Sequence, residues 1–146
     1  MAEGNVKEEP FPAPSRREVG LVDGIETEVT KTSFSDKIMI TLSQGGRLAQ
    51  WIQVPLSESS AANMDMALPP VSSDLPSVHL TPRTLIGGGS EDRETLGQLY
   101  ASQIGSFIAL QNPQEERTLL LGLGLEKATS TREGFFDVIE LVQKVL

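Results

Sequence analysis

Only a few side chains in this sequence could do chemistry, and the single histidine, His79, is the first of them. A histidine base in a hydrolase acts on a serine held in a motif such as G-x-S-x-G, and no such motif occurs in the chain. The chain also has no cysteine, which excludes a disulfide framework, a thiolate nucleophile and a zinc knuckle. We therefore predict no catalytic residue, no metal and no cofactor, and a protein that is not an enzyme.

Two glycine-rich segments could approach a phosphate. Gly87–Ser90 precedes a predicted helix and could hold an anion on free amide groups, but it lacks the lysine of a phosphate loop, and Glu91 and Asp92 would repel the ligand. Gly122–Gly124 fails the dinucleotide fingerprint because Lys127 stands where the third glycine belongs. We interpret the first segment as a strand-to-helix turn and the second as a site of close packing.

Glu26 and Glu28 lie two residues apart, a spacing that places both carboxylates on one face of a strand. Paired carboxylates can share the roles of acid and base in catalysis. Acidic residues on a strand also make a solvated surface that discourages aggregation, and this interpretation needs no further groups. We therefore assign both residues to a strand surface.

The charge balance narrows the range of partners. The chain has 146 residues, with 20 acidic and 12 basic side chains and a net charge of −8. Nucleic-acid binding usually shows itself as a basic patch, so this balance opposes it. No run of about 18 apolar residues occurs, so no membrane span is predicted. We expect a cytoplasmic protein, with the nucleus as a second compartment.

Two segments have the composition of chain that lies outside a folded core. Residues 1–17 contain three of the nine prolines, and residues 56–77 contain three more, with three acids and no base. Such segments bury too little apolar surface to offset the entropy lost on ordering. We predict a disordered N-terminal arm at 1–17, a single domain at 18–146 and a flexible insertion at 56–77. The alternative for the insertion is a short helix over Met64, Met66 and Leu68.

Alternating apolar residues and turn signals predict four strands before the insertion and one after it. Asp23-Gly24 is a dipeptide of two-residue hairpin turns, so the first two strands should pair. We expect the first four strands to form a meander, and Pro82 places the fifth at an edge of the sheet. The predicted strands are Val19–Val22, Ile25–Ser33, Lys37–Ser43, Arg47–Val54 and Val78–Ile86.

Two helical patterns flank a sixth strand. The first begins at Ser90 and ends before Asn112, and its ridge of small residues predicts close packing against another backbone. The nearly continuous apolar run Arg117–Leu125 is typical of a central strand covered on both faces. The last helix begins with Ser130 and Glu133, which have the spacing of a capping box. In the first helix the apolar stripe is Leu96, Leu99, Tyr100, Ile104, Phe107 and Ile108, and the ridge is Gly97, Ala101, Gly105 and Ala109.

The order β-β-β-β-β-α-β-α predicts an α+β fold, in which two helices pack on one face of a six-stranded, mainly antiparallel sheet. If the helices cover the face that carries Ile40, the opposite face carries Met39, Thr41 and the only tryptophan, Trp51, with Ala49 beside it. An apolar patch on an uncovered sheet face is typical of a partner-binding surface. We predict that these four residues contact a partner; the alternatives are that the insertion covers them or that Trp51 faces the helices.

The same strands resemble a known family. The string Gly24–Phe34 carries Gly, an aliphatic residue, Thr, Val, Thr and Phe at the spacings of the opening strand in the proteasome assembly chaperone 3 family, which it resembles. The stretch Ser43–Arg47, the segment Leu85–Gly87, the apolar run Leu119–Leu125 and the closing amphipathic helix are similar too. The resemblance covers essentially all of the chain outside the arm and the insertion.

This resemblance implies a non-enzymatic chaperone of 20S proteasome assembly. Such a chaperone forms a heterodimer with a chaperone 4-like partner and binds α-type subunits, chiefly α5. It promotes correct α-ring assembly and leaves when β subunits are incorporated. Whether the isolated chain forms a homodimer is left open. Two alternatives remain: a dimerising adaptor of another complex, of the small-GTPase regulator type, and a small-ligand or nucleotide-binding domain that uses the Gly87–Ser90 turn.

Overall fold

The predicted α+β fold is confirmed by the computed structural model, which describes residues 13–57, 80–87, 89–127 and 131–146. Within these ranges, six strands and two helices follow one another in the predicted order. The elements are β1 (Ser15–Val22), β2 (Ile25–Ser33), β3 (Lys37–Gln44), β4 (Gln50–Pro55), β5 (Arg83–Ile86), α1 (Glu91–Gln111), β6 (Thr118–Gly124) and α2 (Arg132–Gln143).

The order of the strands in the sheet is β1-β2-β3-β6-β4-β5. The predicted four-strand meander is therefore wrong at its last step, because β6 lies between β3 and β4. It runs parallel to β3 and antiparallel to β4, and the other pairings within the described sheet are antiparallel. A strand with buried residues needs hydrogen-bond partners on both edges, since an unpaired buried amide or carbonyl is costly. The apolar strand β6 is accordingly central, as predicted, and β5 lies at an edge, as predicted.

The first strand of the hairpin begins at Ser15, four residues before the predicted start at Val19. Asp23 and Gly24 have φ values of 52° and 76°, the left-handed conformation that a two-residue turn of this kind requires. From this turn β1 pairs with β2 back to Ser15, which faces Thr32. The assignment of residues 15–17 to a disordered arm is therefore wrong, because strand pairing orders a polar segment that has no core position of its own. Residues 1–12 lie outside the described residues.

Both helices pack on the same face of the sheet, as predicted. Alternate residues of the inner strands are almost fully buried beneath them. The ridge of small residues brings α1 close to β4, because a side chain added at Gly97 would lie 2.7 Å from Cδ1 of Ile52. The buried residues of the strands include Val29, Ile38, Ile40, Leu42, Ile52, Val54, Leu119, Leu121 and Leu123.

The close approach of the ridge also decides which side of α1 is buried. Leu99, predicted in the inner stripe, is 46% exposed, whereas Tyr100 and Ile104 are fully buried. The helix turns its smallest residues toward the sheet, so Leu99 comes to lie on the opposite side of the helix. The prediction for Leu99 is therefore wrong.

The helix caps fit the predictions in part. Ser90 caps α1, and its hydroxyl accepts a hydrogen bond of 3.2 Å from the amide of Arg93. In α2 the cap is Thr131, not the predicted Ser130, which lies outside the described residues. The Thr131 hydroxyl accepts from the amide of Gly134 at 2.9 Å and donates to Asp23 at 2.6 Å, so the same residue ties α2 to the first turn.

The structure also differs from the predicted bounds of the insertion. Leu56, assigned to the insertion, is fully buried in the core, and Leu80 packs against the same core. The rest of the predicted insertion, residues 58–77, lies outside the described residues, as do Val78 and His79. The fifth strand accordingly begins at Arg83 rather than at Val78 in the part of the chain that is described.

Candidate functional site

The sheet has a second face, which is turned away from both helices and is here called the open face. Its side chains alternate with the core residues along each strand. The strand register places them in rows across the sheet, and one row runs from Thr30 through Thr41 and Gly122 to Trp51. No element among the described residues packs on this face. Within the described part of the chain, this face is therefore accessible to a partner.

Trp51 lies on β4, one strand in from the β5 edge of the open face. It pairs with Gly122 of β6, and its indole ring lies over that glycine. A side chain added at Gly122 would meet Cζ3 of the indole at 2.9 Å and Cη2 at 3.0 Å. The glycine therefore provides the space that the ring occupies, and Trp51 remains only partly buried.

Two further predicted residues lie near Trp51, but not on a neighbouring strand. Met39 faces Leu120, and Thr41 faces Gly122, so β6 separates both residues from β4. The predicted meander puts β3 beside β4 and so leaves out Leu120, which faces Met39 on one side and Gln53 on the other. The apolar run of β6 predicts burial on both faces, and this prediction is wrong for Leu120, which is only partly buried.

Ala49, the fourth predicted residue, lies apart from this group. It precedes β4, where its amide donates to the carbonyl of Leu123 at 2.7 Å, and it is exposed. Its carbonyl lies so close to Gly87 that a side chain there would overlap it. Ala49 therefore marks the end of the open face, beside the turn into α1.

Exposed apolar residues extend the open face past Trp51. Ile86 of β5 faces Trp51 and is 67% exposed, and Leu85 beside it is 47% exposed. A bulge between Trp51 and Ile52 shifts the register at this point. From the sequence, Ile86 is predicted only to end a strand before a run of glycines. Its position beside Trp51 depends on which strands pair, so the sequence pattern does not predict it.

Charged and polar side chains border the apolar centre on the β2 side. Arg17 and Glu28 form a bidentate ion pair with bonds of 2.7 and 3.1 Å, and the hydrogen bond from Arg17 lowers the pKa of Glu28. The hydroxyls of Thr30 and Thr41 hydrogen-bond to each other. Glu28 is thus held as an ionised carboxylate beside Arg17, and it does not form an acid–base pair with Glu26.

The polar groups beside the glycine turn before α1 bond within the fold. Ser90 uses its hydroxyl as the helix cap, and the guanidinium of Arg93 donates to the carbonyls of Leu125 and Glu126, each at 3.1 Å. Acidic side chains lie in the first turn of α1. The bonds of Arg93 tie the start of α1 to the residues that follow β6, and a cavity of about 610 Å³ lies between these segments, lined by Gly87, Gly89 and Arg93 among others.

In the described part of the chain, no group of three or more His, Cys, Asp or Glu side chains could hold a metal ion. None of the described helices is both long and apolar enough to cross a membrane. The candidate functional surface is the open face, because it brings Met39, Thr41 and Trp51 onto one side of the sheet.

Comparison with known proteins rests on the fold. No family model matches the sequence, and no curated protein matches it. Among solved structures, a chain in the crystal structure of a chaperone complex for yeast 20S proteasome assembly superimposes with a TM-score of 0.58. The chain has a proteasome assembly chaperone-like fold. The match covers 90% of this chain and 98% of the yeast chain at 11% sequence identity, so what the two share is the fold.

Proposed function

We propose that this chain is a chaperone of 20S proteasome assembly, of the chaperone 3 type. The observation that carries the proposal is the match of fold to a chain of a yeast proteasome assembly chaperone complex, which extends over 98% of that chain. The resemblance of Gly24–Phe34 to the opening strand of the chaperone 3 family supports the same assignment. In this proposal the protein is not an enzyme. It acts in the cytoplasm and also in the nucleus.

The open face is the surface through which the chain pairs with a chaperone 4-like protein. Trp51 supplies a large aromatic contact, packed against Gly122, and aromatic residues dominate the energy of many interfaces. Met39 and Leu120 add apolar area, and the ion pair of Arg17 with Glu28 forms a polar border. Pairing would bury the partly exposed indole, which is the main energetic reason for association.

The heterodimer then binds α-type proteasome subunits, chiefly α5, and promotes correct α-ring assembly. The mechanism is steric, because the chaperone occupies a surface of the subunit until an incoming β subunit displaces it. A release that depends on competition between interfaces needs no nucleotide and no catalytic residue. This agrees with the turn at Gly87, whose neighbouring polar groups are used within the fold.

The test is to purify the tagged chain from cells that express it and to identify the proteins bound to it. A chaperone 4-like protein and α-type subunits are expected in the wild-type sample. Trp51→Glu should remove the chaperone 4-like protein, whereas Leu110→Glu, which changes an exposed apolar residue on the helical side, should not. If neither class of protein accompanies the wild-type chain, the proposed function is wrong.

A further inference from the structure

The two edges of the sheet differ in how well they are protected. Exposed strand edges invite pairing with other chains, and proteins usually guard them with short strands, bulges, prolines or charges. At one edge β5 has four residues, and its pairing with β4 carries a register shift. At the other edge β1 has eight residues, and its second half, Val19–Val22, carries no charge, proline or register shift.

The register shows which main-chain groups of β1 are free. Val22 and Ile25 flank the two-residue turn, and the amide of Ser33 donates to the carbonyl of Pro14 at 3.0 Å. In an antiparallel ladder hydrogen-bonded pairs alternate with non-bonded pairs, so the even-numbered residues of β1 bond to β2. The amides and carbonyls of Arg17, Val19 and Leu21 therefore point away from β2, toward an edge that no described residue pairs with.

Side chains on both sides of this edge define what would fit against it. On the open-face side Val19 is 43% exposed and Leu21 is 66% exposed. On the helical side a groove runs between the edge and α2, and its ionisable residues are Asp137, Glu140 and Lys144. The side chains of an added strand would point alternately to the two faces of the sheet. Those on the open-face side would contact Val19 and Leu21, and those on the helical side would face a groove in which acidic side chains outnumber basic ones.

We propose that the β1 edge binds an extended, basic segment of a partner protein by strand addition. The segment has small apolar residues at alternate positions, which contact Val19 and Leu21. Lysine or arginine lies at the positions between them, facing Asp137 and Glu140. Main-chain hydrogen bonds to Val19 and its outward-facing neighbours supply affinity, and the alternation of side chains supplies specificity. This site lies at the β1 edge, the edge of the sheet remote from Trp51, and does not depend on the proposed function.

The test uses the full chain and a synthetic peptide of alternating lysine and valine, at about 0.15 M salt to screen long-range attraction. We expect the peptide to bind and to slow amide exchange at Arg17, Val19 and Leu21. A peptide of the same composition with its lysines and valines in separate blocks, and one with glutamate in place of lysine, should bind about tenfold more weakly or not at all. Equal binding of the block peptide would show charge attraction only and would overturn the proposal.

Two variants test the edge itself. Val19→Pro removes an outward amide without breaking a bond to β2, so it should weaken binding of the alternating peptide about tenfold. Leu21→Lys keeps the amide but adds a charge that repels the basic peptide, so it should also weaken binding. This second variant provides the test if Val19→Pro does not fold. Unchanged affinity in either folded variant would refute strand addition at β1.

Discussion

The indole ring of Trp51 lies over Gly122 on the open face, so near that a methyl group at position 122 would come within 2.9 Å of the ring. The two residues are register partners on adjacent strands, although 71 positions separate 51 from 122 in the sequence. The ring is partly exposed on a face that no described element covers, so a partner can contact it. The indole needs the space that the absent side chain of Gly122 leaves.

Replacing Trp51 with glutamate should weaken pairing with the chaperone 4-like partner about tenfold or more, because the central aromatic contact is lost and a charge is placed in the interface. The monomer should remain folded, since Trp51 lies outside the main core. Isothermal titration calorimetry measures the first effect and circular dichroism the second. An unfolded variant would show that Trp51 is needed for the core.

Gly122→Ala should destabilise the protein by about 1 kcal/mol or more, because the added methyl group forces the indole to move. In a Trp51→Ala background the same glycine substitution should cost much less, since the ring that it displaces is absent. A double-mutant cycle measured by urea denaturation gives this coupling energy. Additive effects of the two substitutions would contradict the stacking of Trp51 on Gly122.

Deleting residues 58–77 should change the free energy of unfolding by only about 1 kcal/mol, because a shorter loop between the paired strands β4 and β5 costs little to close. Leu56→Ala is the matched control just outside the deletion. It should cost about 2–4 kcal/mol, because Leu56 is fully buried. A large loss of stability in the deletion variant would show that the segment contributes to the core.

Glu115 should make folding stability depend on pH. The hydrogen bonds from Arg117, at 2.7 and 2.9 Å, lower the pKa of Glu115 below its ordinary value of 4.5, and Lys31 acts in the same direction. Because the folded-state pKa is the lower one, this stabilisation is complete above the unfolded-state pKa and is lost as the pH falls through the folded-state pKa.

Glu115→Gln should therefore lower stability at pH 7 by about 1–3 kcal/mol and flatten the acid limb of the stability curve. Glu28→Gln is the control, because Glu28 also has a lowered pKa through Arg17 but lies at an exposed position, where solvent weakens the pair. Chemical denaturation between pH 3 and 7 compares the two. Equal losses for the two variants would refute a special role for the Glu115 pair.

Local patterns in the sequence were enough to predict most elements of this fold. The turn at Asp23-Gly24, the cap at Ser90 and the apolar run of β6 depend on neighbouring residues, so their conformations follow from short-range propensities. The same patterns predicted that Met39 and Trp51 lie on the face opposite the helices, because alternation along a strand is local as well. They failed at Ser15–Arg17, whose order comes from pairing with another strand.

The sequence by itself therefore determined the types of the elements, their order and the side of each strand that faces the core. Only the tertiary structure decided which strands are neighbours, because pairing depends on hydrogen bonds between residues that are far apart in the chain. The insertion of β6 between β3 and β4 brings Gly122 beneath Trp51 and Leu120 beside Met39. The candidate surface exists because of that long-range pairing, which no local pattern in the sequence encodes.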